Sequence, residues 1–153
     1  MDTISIRLAQ LDDVKAIANF NQTMAMETEG KVLQPDVLKA GIKALLNNPS
    51  HGFYVVAEVQ SKVVGCLMIT REWSDWRNGV FWWIQSVFVE QEYRRRGIYR
   101  KMYEFIKELA NNKEEVCGFR LYVEKDNRVA QETYSALGMT PLPYLMFEQP
   151  FPR

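Results

Sequence analysis

A chain of 153 residues, 47% hydrophobic and 25% charged, has the size and composition of one soluble globular domain over 1–153, with a core that needs neither disulfides nor a metal. These proportions exclude a disordered, a collagen-like and a membrane-spanning chain. Nineteen Lys and Arg balance nineteen Asp and Glu, and the basic knot Arg94, Arg95 and Arg96, with Arg100 and Lys101 beyond it, is short for a duplex footprint, so no nucleic acid partner is expected.

Ile4, Ile6 and Leu8 alternate with Ser5 and Arg7 as a first strand. Val14, Ile17, Ala18 and Phe20 follow helical spacing, with Asp12 and Asp13 near the positive helix start. Periodicity fades after Glu27 and Gly30 suggests a break, which places Glu27 and Glu29 between the first two helices. Pro35 suits a first helical position, and Val37, Leu38, Ile42, Leu45 and Leu46 give the second helix its apolar stripe. Residues 53–59 and 62–70 are strands around the short hairpin connection Gln60-Ser61. A linker over 71–79, carrying Trp73, Asp75 and Trp76, leads into a strand over 80–89, on which the adjacent Trp82 and Trp83 must face opposite sides. Ile98, Met102, Phe105, Ile106 and Leu109 form a further helical stripe. Residues 116–123 read as a strand parallel to 80–89 through a crossover, 127–137 as a short helix stopped by Gly138, and 139–147 as a last strand whose Pro141 and Pro143 mark an edge. The order gives an α/β (α+β) domain with a mixed, mainly antiparallel central sheet flanked by helices.

No basic start followed by an apolar core opens the chain, and its longest apolar run, GVFWWI over 79–84, is far too short for a bilayer, so a cytoplasmic chain with no membrane partner is expected. Cys66 and Cys117 lie far apart inside predicted strands and are expected as two buried thiols rather than a disulfide. His51 is expected at the surface, and one His with two distant Cys cannot build a zinc cage, so no metal is expected.

The sharpest local signal runs from Val87 to Arg100: an apolar strand ends, a basic turn follows, and Gly97 opens a helix. A helix start exposes backbone N–H groups and a positive dipole end, Gly97 removes a side chain where backbone would approach an anion, and arginines add charge. Phosphate binding and a solvated basic turn are both compatible with these residues alone. Arg94-x-x-Gly97-x-Tyr99 after a Val-rich strand resembles the pyrophosphate loop of the GNAT superfamily of acyl-CoA-dependent N-acetyltransferases, with Tyr99 where a small residue is usual. The run from Asn127 to Met139, with Ala130, Tyr134 and Gly138, is similar to that family's second motif.

The resemblance covers nearly the whole chain and implies the GNAT-like fold with splayed parallel strands four and five, acetyl-CoA or coenzyme A as cofactor, and transfer of acetyl to a primary amine, slightly favouring a small molecule. It implies that backbone at Val87, Phe88 and Val89 binds pantetheine beside a strand bulge. Arg94, Arg95, Arg96, Gly97, Ile98 and Tyr99 would form the pyrophosphate turn, and Tyr99 would turn outward or cover the cofactor. Asn127, which also suits a helix cap, would contact the cofactor, and Tyr134 would bind there as the general acid that protonates the departing thiolate. Gln85 stands at the family's glutamate position and can orient a water but not act as a base. Glu27, Glu29 and Asp75 are then candidates for the acceptor side, Glu27 first as base, and with Trp73 and Trp76 they would suit a cationic amine. The alternatives are a coenzyme A-binding module without catalysis and a protein N-acetyltransferase. Tyr144 to Phe147 would pair two copies as a homodimer.

Overall fold

The computed structural model describes residues 3–152, and the chain divides into two compact units, Met1–Leu121 and Tyr122–Arg153. The first is built on a five-stranded sheet of β1 (Ile4–Leu8), β2 (Gly52–Val59), β3 (Lys62–Ser74), β4 (Gly79–Val89) and β5 (Val116–Arg120), ordered in space as in sequence. The first four strands pair antiparallel, and β5 runs parallel to β4. Gln60 and Ser61 turn the β2–β3 hairpin with φ +51 and +64, the paired positive angles that match the twist of a two-residue loop.

Helices cover both faces. On one, Ile17 and Phe20 of α1 (Val14–Glu29) and Ile42 of α2 (Pro35–Leu46) pack on Tyr54, Val56, Cys66 and Phe88. On the other lies α3 (Ile98–Asn111), which buries Ile98, Met102, Tyr103 and Ile106. The Tyr103 ring meets Phe119 edge-on at 5.6 Å, and Phe119 stacks on Trp82 at 6.3 Å. Trp82 is fully buried on this side, and Trp83 turns to the opposite face, as neighbours on a strand must.

Several boundaries differ from the sequence reading. α1 runs on through Glu29 and ends at Gly30, whose φ of +64 closes it, so Glu27 and Glu29 lie on its last turn rather than between helices. The apolar period fades there because the helix satisfies polar residues internally: Thr23 and Thr28 donate to the carbonyls of Asn19 and Met24, and buried Asn21 donates to Ile17. β3 continues through the expected linker to Ser74, which narrows the turn to 75–78. Val37, assigned to the apolar stripe of α2, is 72% exposed. Cys117 is exposed on β5, the last strand of the sheet, while Cys66 is fully buried.

The second unit contains α4 (Arg128–Ala136), capped by Asn127, whose side-chain oxygen accepts from the Ala130 N–H at 3.2 Å. The expected strand over 139–147 does not form among the described residues. Pro141 and Pro143 each remove a donor from any ladder there, and Tyr144, Leu145, Met146 and Phe147 are exposed. No helix among the described residues is long and apolar enough to cross a membrane.

Candidate active site

β4 has a strand on both edges only over its first half. Val80 to Trp83 run beside Val116 to Arg120 of β5, whereas from Ile84 to Val89 the strand keeps its β3 neighbour and has no β5 partner. The parallel pairing ends at Trp83 and Arg120, and the β4 edge beyond it is free of β5 as far as Val89. In the open half lies a bulge. Cys66 pairs with Phe88 and Met68 with Gln85, so Ser86 and Val87 together oppose Leu67. Ser86 absorbs the extra residue at φ +51. Its carbonyl accepts from the Cys66 thiol at 3.6 Å, and burial pushes that thiol up to about 12, which keeps it a donor. The bulge also changes the strand's phase. Gln85 and Trp83 share a face with Met68, and Phe88 returns to that same face, where its ring stacks on Phe20 at 5.2 Å.

After β4 a short 3-10 turn at Gln91–Tyr93 leads to the arginines and to Gly97, the N-cap of α3. No side chain caps this helix, and its first internal bond runs from Lys101 N–H to the Gly97 carbonyl at 3.0 Å. The N–H groups of the first turn therefore lack intrahelical acceptors. A Cβ built on Gly97 would meet nothing within 4 Å, so it is not close approach within the chain that calls for glycine but the φ of +76. Ile98 anchors the helix start in the core at 2% exposure, and Tyr99 lies back along α3 with its ring 6.3 Å from that of Tyr103. Arg95 and Arg96 are exposed, Arg96 over the Tyr93 ring at 5.1 Å. An uncapped helix start flanked by two exposed guanidinium groups fits a pyrophosphate.

Arg94 behaves differently. Its guanidinium folds back over the Phe88 ring at 5.3 Å, donates to the Val89 carbonyl at 2.7 Å and is held by both carboxylate oxygens of Glu27 at 3.0 and 3.1 Å. Glu27 is thereby ion-paired with the turn. The pair lines a groove of about 360 Å³ together with Met24 and Thr28 of α1 and Val87, Phe88 and Val89 of β4. The structure thus brings together the strand end, Arg94 and Glu27. It does not bring Glu29 there, since that side chain pairs with Lys31 at 3.3 Å in the open. Trp73, Asp75 and Trp76 stand at the β3–β4 turn, Trp73 at 62% and Trp76 at 89% exposure. Alternation sends Trp73 to the opposite face from Glu72.

Further along β4, Gln85 donates to the Thr70 hydroxyl at 2.6 Å. One rung on, Glu72 Oε1 accepts from Trp83 Nε1 at 3.1 Å and from Arg120 Nη1 at 2.7 Å. The sequence reading missed Met24 and Thr28, although Met24, Glu27 and Thr28 share one helical face once α1 is carried to its true end. It missed Glu72 and Arg120 because only the sheet topology joins them. In the second unit Tyr134 sits on α4, half-buried, and burial holds its phenol above the ordinary tyrosine value.

The profile of the acetyltransferase (GNAT) family matches residues 15–139. A possible acetyltransferase from Clostridium difficile 630 is 49% identical, with 98% of this chain and 99% of that chain covered and a TM-score of 0.90. An aminoglycoside N-acetyltransferase solved in complex with CoA shares the fold at 15% identity, 98% and 96% coverage and a TM-score of 0.77. The glucosamine-6-phosphate N-acetyltransferase of Arabidopsis thaliana does so at 18% identity, 96% and 98% coverage and a TM-score of 0.72. No curated protein matches. With the parallel β4–β5 pair, the bulge and the Gly97 turn in place, the chain belongs to the acetyltransferase (GNAT) family.

Proposed function

We propose that the protein, as one catalytic domain over 1–153, transfers acetyl from acetyl-CoA to the primary amine of a small molecule. The observation that carries this is the continuous path from the free edge of β4, through the bulge at Ser86-Val87, to the uncapped start of α3. Acetyl-CoA supplies the acyl group as a thioester. Backbone at Val87, Phe88 and Val89 would hold the pantetheine arm, and the turn from Arg94 to Tyr99 the pyrophosphate. Asn127 would add a cofactor contact beyond its cap. The neutral amine nitrogen would bond to the acyl carbon as the carbon–sulfur bond breaks, the Tyr134 phenol would give its proton to the thiolate, and the proton shed by the nitrogen would pass through solvent to restore the phenol. A phenol raised above its ordinary value stays protonated at neutral pH, as a donor must. The names of the two N-acetyltransferases above, one for aminoglycosides and one for glucosamine-6-phosphate, support a small acceptor. The exposed run Tyr144 to Phe147 supports a homodimer formed through that segment.

Calorimetric titration with acetyl-CoA and with free coenzyme A tests the cofactor, and release of coenzyme A on adding primary amines tests the transfer. Both forms should bind. Tyr134→Phe should bind acetyl-CoA like the parent and lose about 100-fold or more in kcat. Parent-like turnover across the pH range would remove Tyr134 from the proton step.

A further inference from the structure

Two arginines of the first unit are gripped by both oxygens of a carboxylate, and their settings differ. Arg7 donates to Asp13 at 2.8 and 3.0 Å, and the Asp13 side chain is only 6% exposed, so this grip is sealed into the core. Arg94 donates to both oxygens of Glu27, but there each side chain is 41% exposed. An exposed ion pair holds its partners weakly and gives way to a competing anion. Both Glu27 oxygens meet one nitrogen, Nη2, and Nη1 donates to nothing among the described residues. A phosphate offers a guanidinium the same pair of oxygens that a carboxylate does. Glu27 therefore takes the place of an anion on an arginine of the pyrophosphate turn.

The remaining polar contact of Arg94 is on the strand itself. Its Nε donates to the Val89 carbonyl at 2.7 Å. The N–H of the next residue, Glu90, donates to the Val64 carbonyl of β3 at 2.8 Å. The C=O and N–H of a trans peptide point in opposite directions, so the Val89 carbonyl points away from β3, toward the edge of β4 that has no β5 partner from Ile84 onward. The guanidinium also lies over the Phe88 ring at 5.3 Å, and Arg94 and Glu27 line the same groove of about 360 Å³ as Val87, Phe88 and Val89. Arg94 thus rests on the edge proposed for pantetheine, with its Nε on a backbone acceptor there. Its neighbours Arg95 and Arg96 are exposed and pair with no carboxylate among the described residues.

We propose that the Glu27–Arg94 pair is an autoinhibitory strap on the cofactor site, and that Arg94 exchanges the Glu27 carboxylate for the pyrophosphate of coenzyme A as the cofactor binds. The exchange moves the guanidinium off Val89, whose carbonyl is then open to an amide N–H of the pantetheine arm, and it leaves Glu27 as a free carboxylate in the groove. Arg94 is thereby a specificity-determining residue. A pantetheine thioester without the pyrophosphate has to break the pair and gains no guanidinium contact. The inference rests on the acetyltransferase reading and gives Glu27 and Arg94 opposed roles within its cofactor site.

A fixed brace and an exchangeable strap predict opposite signs. Glu27→Gln keeps the shape and removes the charge, and as the loss of a competitor it should bind coenzyme A about threefold tighter or more by calorimetry. A brace would make the same variant bind more weakly. In an Arg94→Gln background the Glu27→Gln change should leave the affinity where it is, which separates release of Arg94 from plain repulsion between Glu27 and the cofactor. The Arg94 Nε–H reports on the exchange directly, because it leaves the Val89 carbonyl. Its resonance in the ¹⁵N-labelled parent, assigned with Arg94→Gln, should shift saturably with coenzyme A and stay in place with pantetheine at the same concentration. Equal or weaker binding by Glu27→Gln, a gain that persists in the Arg94→Gln background, an Arg94 resonance unmoved by saturating coenzyme A, or an equal shift with pantetheine would each overturn the proposal. Failure of both the parent and Glu27→Gln to bind coenzyme A overturns the acetyltransferase reading and the strap with it, whereas binding by Glu27→Gln alone supports both.

Discussion

Gly97 holds φ +76 with open space around its missing side chain, so its contribution is conformational rather than steric. Gly97→Val should cost about 1–2 kcal/mol in urea unfolding, the penalty for a branched residue in the left-handed region. It should also weaken coenzyme A binding at least 10-fold by calorimetry, since the first turn of α3 would be re-aimed. Asp13 answers to a different balance. Burial pushes its carboxyl up, but hydrogen bonds from Arg7 and the Gln10 N–H, with the Arg7 charge, hold it below the ordinary carboxylate range. A depressed value means stability that is complete above the ordinary range and lost as pH falls through the folded value. Thermal melting of the parent should therefore show an acid limb that Asp13→Asn reduces. The exposed Glu27–Arg94 pair follows neither pattern, because solvent screens it, and Glu27→Gln should move the urea midpoint very little.

At the scale of elements, β4 is the decisive strand, and the bulge is its decisive point. Ser86 is the non-glycine residue there with positive φ, and it lets Phe88 face the α1–α2 core after Gln85 has already done so. Ser86→Gly should be tolerated, whereas Ser86→Val should lower stability by about 1–3 kcal/mol and reduce cofactor binding, both read from paired melting and calorimetry. Strands with clear alternation or apolar runs were legible in the sequence, as were the Gly97 start of α3 and the Asn127 cap. The far half of α1 was not, because its threonines and Asn21 satisfy themselves on the helix and erase the apolar period. The last strand failed for the opposite reason. Its apolar residues promised a ladder that Pro141 and Pro143 do not permit.

Across the whole molecule, the order of elements and the two motifs made the family readable, while contacts between distant strands were not. Glu72 and Arg120 have no local signature, and only the parallel pairing of β4 with β5 places them together. The exposed apolar run at Leu145 and Phe147 makes an expectation at this scale: sedimentation should show a dimer that Leu145→Ser with Phe147→Ser shifts toward monomer. The two cysteines carry one more consequence. Cys117 is open and Cys66 is sealed with its thiol pushed up to about 12, so a disulfide exchange dye should find one sulfur per native chain and the second only as fast as the core opens. Any colorimetric count of coenzyme A released by this protein thus begins from a blank of one equivalent. Cys117→Ser removes that blank and turns Cys66 into a clock for global unfolding.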